Sequence, residues 1–268
     1  AIAQALGIPT LKEEESDNYS FGLIWNPADN LSITVDYFSI DIDDRIVISG
    51  AISATNPAIP LEIRDVLLAN NVGAAQFFTN AGKTTTDGVE AVLSYTLPVG
   101  NDGIFRLDAS AAFISTEVSG EVNSDGLLEG LEDVIFTSQD RSIIEEWQPE
   151  DRGQLTATYA WSNWLFLARL NYYGEYTIQE GNGSRQTFGS EWFPDVMVEY
   201  GFGDSGFALQ AGANNLTDET PDVNQIGQSR GGSIPGIVDS PGVFTYSRRA
   251  APFGFNGGYW YLKAIYRF

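Results

Sequence analysis

The acidic segment 121–132 carries the residue pattern closest to that of a known ligand site. Its sequence, EVNSDGLLEGLE, matches the spacing of a calcium-binding loop and has Gly126 at the turn position. The oxygen ligands that this pattern predicts are Glu121, Asn123, Asp125 and Glu132. Such loops prefer Asp to Glu at the first position, and no helix pair is evident beside the segment, so a solvated acidic loop is the competing interpretation. Calcium is the one cofactor for which the sequence offers a site.

Aromatic and cationic side chains in the polar stretches of the chain are candidates for binding a small-molecule substrate. Trp147 and Trp192 offer flat rings that can stack on a sugar or on an aromatic chelate. Arg230, Arg248 and Arg249 are candidates for holding an anionic ligand, which the negative charge of the chain otherwise repels. The sequence therefore predicts substrate contacts at these five positions.

The composition excludes several classes of function. The 268 residues include no His and no Cys, which removes the Ser-His-Asp triad, thiolate catalysis and Cys-ligated metal. Acidic residues are so abundant that no pair can be assigned to glycosidase chemistry, and no enzyme is predicted. Acidic residues number 36 against 14 basic ones, for a formal charge of −22. Nucleic acid is excluded as a partner because no basic stripe is present to neutralise its phosphates.

Apolar and polar residues alternate along most of the chain, which is the pattern of β-strands with one apolar face. In the segment 259–268, for example, Trp260 and Leu262 share one face while Lys263 lies on the other. The alternation predicts nine strands, at 18–26, 31–47, 84–97, 104–117, 152–161, 163–176, 193–202, 207–216 and 259–268. Helical periodicity is hard to find beyond the first dozen residues, so an all-β protein is predicted.

The lengths of the strands and of their connections predict a transmembrane antiparallel β-barrel. Many strands run roughly 10 to 14 residues, which suits a tilted crossing of a bilayer and exceeds the usual length in soluble sheets. Short turns at 27–30, 98–103, 162 and 203–206 alternate with long connections at about 48–83, 118–151, 177–192 and 217–258. Outer-membrane barrels have short periplasmic turns and long extracellular loops, so the carboxy terminus is expected to be periplasmic. Trp25, Trp161 and Trp164 lie beside short turns, where aromatic belts meet the membrane interface.

Nine strands make an incomplete barrel. Outer-membrane barrels usually contain an even number of strands, and a membrane does not accept an unpaired sheet edge. The first residues, AIAQALGIPTLKEEESDNYS, lack the basic and apolar regions of the signal peptide that an exported protein requires. We therefore expect residues 1–268 to be the carboxy-terminal part of one barrel domain whose earlier strands lie outside this sequence.

Several segments resemble one family of outer-membrane proteins. LKEEESDNYSFGLIW at 11–25 leads into LSITVDYFSIDIDDRI at 31–46, and NAGKTTTDGVEAVLSY, NNLTDETP and YWYLKAIYRF follow at 80–95, 214–221 and 259–268. In this order and spacing they resemble the carboxy-terminal half of the barrel of TonB-dependent outer-membrane receptors. The resemblance implies a 22-stranded barrel with a plugged lumen, of which these would be the last nine strands. It also implies that a plug domain, through which such receptors contact the TonB complex, lies outside the sequence.

The resemblance further implies partners and a function. The barrel-assembly machinery would read the last strand through its alternating residues, Leu262, Ala264, Tyr266 and Phe268. Outer-membrane lipid and lipopolysaccharide would surround the barrel. Its small-molecule substrate would be a scarce nutrient, such as a siderophore or a carbohydrate, taken up with energy from TonB. Two alternatives remain open: a passive porin-like channel, and a secreted soluble β-sandwich that binds carbohydrate.

Overall fold

A computed structural model describes residues 6, 8, 10–122, 126–226, 246 and 252–268 of the chain. Within these residues the strands, numbered in chain order, are β1 (Glu15–Ala28), β2 (Leu31–Asp43), β3 (Ile46–Ile48), β4 (Ile52–Ser53), β5 (Ala74–Ala75), β6 (Phe78–Val99), β7 (Gly103–Val122), β8 (Asp151–Trp161), β9 (Trp164–Tyr173), β10 (Tyr176–Gln179), β11 (Arg185–Phe188), β12 (Glu191–Gly201), β13 (Phe207–Asn214) and β14 (Tyr259–Tyr266). The α-helices are α1 (Leu61–Ala69), α2 (Glu132–Ile135) and α3 (Ser138–Glu145).

One large antiparallel sheet dominates the fold. The strand order across it is β1-β2-β6-β7-β8-β9-β12-β13-β14, and β3 pairs with β6 beyond the end of β2. All nine predicted strands lie in this sheet, so their number, order and antiparallel pairing are confirmed. The two other sheets described, β10 with β11 and β4 with β5, have only two strands each. Neither is large enough to cover the main sheet, so the alternative of a β-sandwich is wrong.

Two neighbouring strands are much longer than the alternation predicted. β6 contains 22 residues and β7 contains 20, against the predicted 84–97 and 104–117. At about 3.3 Å per residue, β6 is roughly 70 Å long, whereas the 10-residue β9 is roughly 33 Å long. The added ends pack on a loop helix, since Ala81 and Val118 are buried together with Phe136. They lack a continuous apolar face, which is why alternation did not detect them.

Two predicted strands are each divided in two. The segment predicted at 31–47 forms β2 and β3, which are separated at Asp44, whose φ of 51° lies in the left-handed region. The segment predicted at 163–176 forms β9, which ends at Tyr173, and the start of β10. β10 leaves the main sheet and pairs with β11 instead. The break at Asp44 therefore changes the partner of the chain within the main sheet from β1 and β6 to β6 alone, whereas the break after Tyr173 takes the chain out of that sheet.

One face of the large sheet is apolar and the other is polar. On the apolar face, for example, Ala109 lies between Leu93 and Leu155 of the neighbouring strands. Large apolar side chains on this face are open to the surroundings, and Phe21 and Leu262 are 74% and 75% exposed. So large an uncovered apolar surface is unfavourable in water and suits contact with lipid. The sheet is therefore built to separate a hydrocarbon phase from a polar interior.

The strand connections are short at one end of the sheet and long at the other. Residues 29–30, 100–102, 162–163 and 202–206 make the short turns, and residues 44–77, 123–150, 174–190 and 215–258 make the connections at the opposite end. The predicted alternation of short and long connections is confirmed. Trp25, Trp161 and Trp164 lie at the short-turn end and are 58%, 50% and 39% exposed, as expected for an interfacial belt.

The long connections contain helices and small apolar cores, which the sequence interpretation did not anticipate. The largest of these cores combines side chains from the segment before β1, from the connection between β2 and β6, and from the connection between β7 and β8: Leu6, Ile52, Ala54, Ile59, Ile63, Leu67, Leu128, Leu131 and Ile135. α3 begins with a capping box in which Thr137 and Asp140 exchange side-chain and backbone hydrogen bonds. Arg141 Nη1 donates to the carbonyl oxygen of Val118, which ties α3 to β7. No helix among the described residues is long and apolar enough to cross a membrane.

Candidate functional site

Paired charges and amides line the polar face of the sheet. Arg106 donates two hydrogen bonds to the Asp108 carboxylate, at 2.7 and 2.9 Å, and Ser94 Oγ donates to the same carboxylate at 2.7 Å. Near the short-turn end, Arg267 Nη2 donates to Glu199 Oε1 at 2.7 Å. Because both charged groups of each pair stay on one face, the strands can present charge to a polar interior without exposing it to lipid.

A groove crosses this face toward the end that carries the long connections. Its residues come from β8, β9, β12, β13, β14 and the segment just before β14: Arg152, Gln154, Asn171, Tyr173, Phe193, Asp195, Asn214, Asn215, Phe253, Asn256 and Tyr259. We call these residues the polar-face groove. Two adjoining hollows of about 360 and 320 Å³ share Asn171 and Tyr173 as their common boundary. Each is large enough for a small organic ligand or one unit of a larger one.

Three aromatic rings form one wall of the groove. The Tyr173 and Phe193 rings meet edge to face with centroids 5.9 Å apart, and Phe253 lies 4.6 Å from Phe193 and 5.4 Å from Tyr173. Phe193 is 7% exposed, so it supports the wall, while Tyr173 and Phe253 are only partly buried. The pair Tyr173 and Phe193 belongs to neighbouring strands, and antiparallel pairing brings them to the same side.

The floor of the groove is a chain of hydrogen-bonded side chains. Gln154 Nε2 donates to Asn171 Oδ1 at 2.9 Å, and Asn171 Nδ2 donates to Asp195 Oδ2 at 3.1 Å. The other carboxylate oxygen, Asp195 Oδ1, accepts the backbone N–H of Asn215 at 2.8 Å. Each group in the chain fixes the orientation of the next one, so the floor is preorganised before any ligand arrives.

The turn that follows β13 closes one side of the groove. In this NNLTD turn, Asn215 has a φ of 50° and its amide bonds both the N–H and the carbonyl of Glu219. Asp218 Oδ1 accepts the backbone N–H of Gly258 at 2.7 Å. A Cβ at the preceding position, Gly257, would stand 2.3 Å from the same oxygen, and only glycine accommodates that approach. The motif therefore holds the chain in place where it enters β14.

The apolar face carries two larger hollows, of about 490 and 480 Å³. Their linings are almost entirely aliphatic and aromatic, as at Ala157, Phe166 and Val198 in the first and at Val89, Leu155 and others in the second. They lie on the surface that faces lipid, where an acyl chain fits and a hydrophilic nutrient does not. We therefore place the candidate site in the smaller groove on the polar face.

The two tryptophans predicted to contact substrate lie apart. Trp147 is 9% exposed and packs in an apolar cluster at the long-connection end with Tyr176, Ile178 and Phe188. Trp192 is 52% exposed and lies on the apolar face, where its ring centroid is 4.5 Å from that of Tyr172. Neither ring lines the polar-face groove. Arg230, Arg248 and Arg249 lie outside the described residues, and substrate contact at all five positions stays a prediction.

The predicted calcium ligands are only partly placed. Glu121 belongs to the end of β7 but its side chain, like Asn123 and Asp125, lies outside what the structure describes. Glu132 is the first residue of α2, and its Oε1 accepts the N–H of Gly130 at 3.1 Å. In the part of the chain that is described, no three acidic side chains are grouped as metal ligands. Calcium at 121–132 stays a prediction.

The residues predicted as an assembly signal lie on the outermost described strand. Leu262, Ala264 and Tyr266 share the apolar face of β14, opposite Ala211, Leu209 and Phe207 of β13. Tyr266 is 54% exposed and Phe268 is fully exposed beyond the strand end. Their alternation is confirmed; recognition by the assembly machinery stays a prediction.

Tyr176, in the apolar cluster around Trp147, makes that cluster sensitive to alkaline pH. Its pKa is raised above the usual 10.0, chiefly by burial and further by the charges of Asp222 and Glu191. The folded cluster therefore holds the phenol proton more tightly than the unfolded segment does. The stability that the protonated Tyr176 phenol contributes to the cluster is fully present below pH 10 and is lost as the pH rises further. We expect proteolysis within 176–190 to accelerate more in the native protein than in Tyr176→Phe between about pH 9 and about pH 11. Equal acceleration in the two proteins would contradict this.

The groove residues were missed because sequence alternation assigned them only to strands. Tyr173 and Phe193 fell inside the predicted strands 163–176 and 193–202 without any assigned role. One signal could have found them: both are aromatic residues on the polar face, at positions where the neighbouring residues of that face are amides and carboxylates. An aromatic exception on a polar face, close to the long connections, is typical of a binding surface.

Comparison with known proteins places this sheet within a described architecture. A family model described as TonB dependent receptor-like, beta-barrel matches residues 1–216. None of the curated proteins compared with the chain matches its sequence. Among solved structures, the pyoverdine outer membrane receptor FpvA of Pseudomonas aeruginosa PAO1 is 16% identical with a TM-score of 0.56, covering 96% of this chain and 30% of that protein.

Two further structures show the same fold. The copper transporter OprC is 14% identical with a TM-score of 0.54, and the match covers 97% of this chain and 32% of that one. The ferric-catecholate import receptor Fiu of Escherichia coli K12 is 17% identical with a TM-score of 0.51, covering 78% and 24%. The chain thus spans about a quarter to a third of the length of these proteins. At such identities the likeness shows the fold, and the large sheet corresponds to part of a barrel wall.

Proposed function

Because the chain belongs to the family of TonB-dependent receptor-like β-barrels, we propose that it forms part of the wall of an outer-membrane receptor that takes up a scarce nutrient with energy from TonB. The observation that carries the proposal is the contrast between one continuously apolar sheet face and one mixed, mainly polar face, combined with a preorganised groove on the polar one. The receptor performs no catalysis of its own. Its substrate is a small molecule that passes along the polar interior.

The direction of uptake follows from the unequal ends of the sheet. Short turns lie in the periplasm and the long, folded connections lie outside the cell, in keeping with outer-membrane barrels in general. The polar-face groove, near the long-connection end, then opens toward the exterior. A nutrient would meet Tyr173 and Phe253 before it reached the charged pairs deeper along the wall.

The remaining partners are proposed on the same basis. Outer-membrane lipid and lipopolysaccharide contact the apolar face, and the barrel-assembly machinery acts on β14 through Leu262, Ala264, Tyr266 and Phe268. The TonB complex contacts a plug region, as expected for the family. Pyoverdine, ferric catecholate and copper are named for the compared structures, and for this chain they support only a small, scarce solute as the substrate.

Uptake by cells with and without the gene tests this proposal. We expect the deletion strain to grow more slowly on at least one member of a panel of iron chelates and oligosaccharides supplied at micromolar concentration. Uptake of that compound by cells carrying the gene should stop when a protonophore removes the energy source of TonB. A passive channel would continue to admit the compound after the protonophore is added. That result would contradict TonB-dependent uptake and favour a porin-like channel.

A further inference from the structure

The polar-face groove offers a ligand several hydrogen-bond acceptors that are not fully used. Each oxygen of Asp195 accepts one hydrogen bond from the part of the chain that is described, which leaves each with capacity for another. Gln154 uses one of its two amide N–H groups on Asn171, and its carbonyl oxygen has no partner among the residues that the structure describes. Asn214 likewise donates one amide N–H to Tyr259, and its side-chain carbonyl oxygen has no partner among the described residues. Donor groups of a ligand can therefore bind at each of these oxygens.

Donors lie beside these acceptors, including the second amide N–H groups of Gln154 and Asn214. The Tyr259 hydroxyl accepts from Asn214 Nδ2 at 2.6 Å, so its proton is available to a ligand. The Arg152 side chain, which is exposed, contributes N–H groups at the far end of the groove. Hydroxyl groups both donate and accept, so a ligand rich in hydroxyls satisfies both sets at once.

The aromatic wall is too closely packed to enclose a cation. Ring centroids of Tyr173, Phe193 and Phe253 lie 4.6 to 5.9 Å from one another. A cation within an aromatic cage sits over ring faces at up to about 6 Å from each centroid, which requires a gap between the rings. Here the rings touch one another and leave only an outer surface. Such a surface suits contact with the C–H groups of a flat, uncharged ring.

The charges around the groove give no preference for an anionic ligand. Arg152 lines one hollow and Arg169 stands opposite Asp195 on β9, while Glu90 borders the hollow of Arg152 and Asp195 lies in the floor. The two cations are thus matched by two carboxylates. The chain as a whole has a formal charge of −22. A negatively charged chelate entering the groove would therefore meet no excess of positive charge.

We infer that the polar-face groove binds one or two sugar units of a neutral oligosaccharide. The sugar ring lies against the wall formed by Tyr173 and Phe253, and its hydroxyls donate to Asp195, Gln154 and Asn214. The inference rests on the proposed uptake function, of which it names the substrate class.

Binding by the purified full-length receptor in detergent tests the inference. The probes are neutral oligosaccharides of two to six units, built from glucose, xylose, galactose or mannose with α or β linkages, compared with ferric citrate and a ferric catecholate complex. We expect titration calorimetry to detect binding of at least one oligosaccharide and of neither ferric complex. Tyr173→Ala should weaken that binding at least about tenfold, whereas Tyr173→Phe, which keeps the ring, should stay within about threefold.

Two further variants separate loss of the site from loss of the fold. Phe253→Ala removes the other partly buried ring of the wall and should weaken binding to a similar extent. Phe113→Ala removes an exposed aromatic ring of comparable size from the opposite, apolar face and should leave affinity unchanged. All variants are compared after a gel assay for heat-modifiable mobility confirms an intact barrel.

The outcomes distinguish the inference from the proposed function. If no oligosaccharide of the panel binds at millimolar concentration, or if Tyr173→Ala and Phe113→Ala behave alike, the inference is overturned. If only a ferric complex binds tightly, the assignment of a sugar ligand is overturned, while the proposed uptake function is unaffected. Oligosaccharide entry that persists with a protonophore would instead overturn the receptor while leaving the binding groove in place.

Discussion

Ala109→Arg is expected to lower the stability of the folded barrel by about 2 to 4 kcal/mol. Ala109 lies on the apolar face, between Leu93 and Leu155, and six residues from the start of β7 at the short-turn end. That depth places a new guanidinium near the middle of the hydrocarbon layer, where no water solvates it. Urea unfolding from lipid vesicles, or thermal unfolding in detergent followed by gel mobility, measures the loss.

Ser110→Arg is the matched control for this change. Ser110 is the next residue along the same strand, but it lies on the polar face opposite Val92 and Gln154. The same side chain added there reaches a polar interior, and we expect a change of less than about 1 kcal/mol. Equal effects of the two substitutions would mean that the faces of the sheet are wrongly assigned to lipid and interior.

Phe188→Ala is expected to open the apolar cluster around Trp147 at a cost of about 3 to 5 kcal/mol. Phe188 is 1% exposed, and its ring stacks on Tyr176 with centroids 4.9 Å apart and planes 6° from parallel. Removing the ring leaves a cavity among Trp147, Ile178 and Ile226 that a short hairpin cannot refill. Proteolysis and amide hydrogen exchange of the β10 to β11 hairpin should accelerate, while the main sheet keeps its gel mobility.

Phe78→Ala provides the comparison for Phe188→Ala. Phe78 begins β6 at the same end of the protein, but 57% of its surface is exposed. We expect hydrogen exchange of the hairpin to stay within experimental error in this variant. If Phe188→Ala leaves the hairpin equally protected, the cluster contributes no stability to the connection, contrary to its burial.

The main sheet could be predicted from the sequence because lipid imposes a two-residue period on it. Strands such as β8 and β9 alternate along their whole length, and their predicted and observed bounds differ by only a few residues. The long connections impose no such period. α1 has nine residues and α3 has eight, so each buries its apolar side over only two turns. A pattern that short is indistinguishable from irregular chain until its partners are known.

The candidate site was less predictable than the fold, because it depends on register across five strands. Asn171 and Asp195 are 24 positions apart in sequence and come within hydrogen-bonding distance only through the pairing of β9 with β12. Trp147 was predicted to contact substrate because it is an aromatic residue in a polar stretch, yet its ring is buried. Residue type alone does not distinguish a ring that supports a loop from one that is available to a ligand.

The chain of hydrogen bonds along the groove floor limits how the specificity of this protein can evolve. Asp195 both faces the ligand and holds Asn215, whose turn fixes Gly258 and the entry to β14. A mutation of Asp195 would therefore disturb the turn after β13 as well as change which ligand is bound. The side chains of Tyr173 and Phe253 make no hydrogen bond to the backbone within the described residues. We expect lineages that acquire a new nutrient to exchange the rings first and to keep the carboxylate.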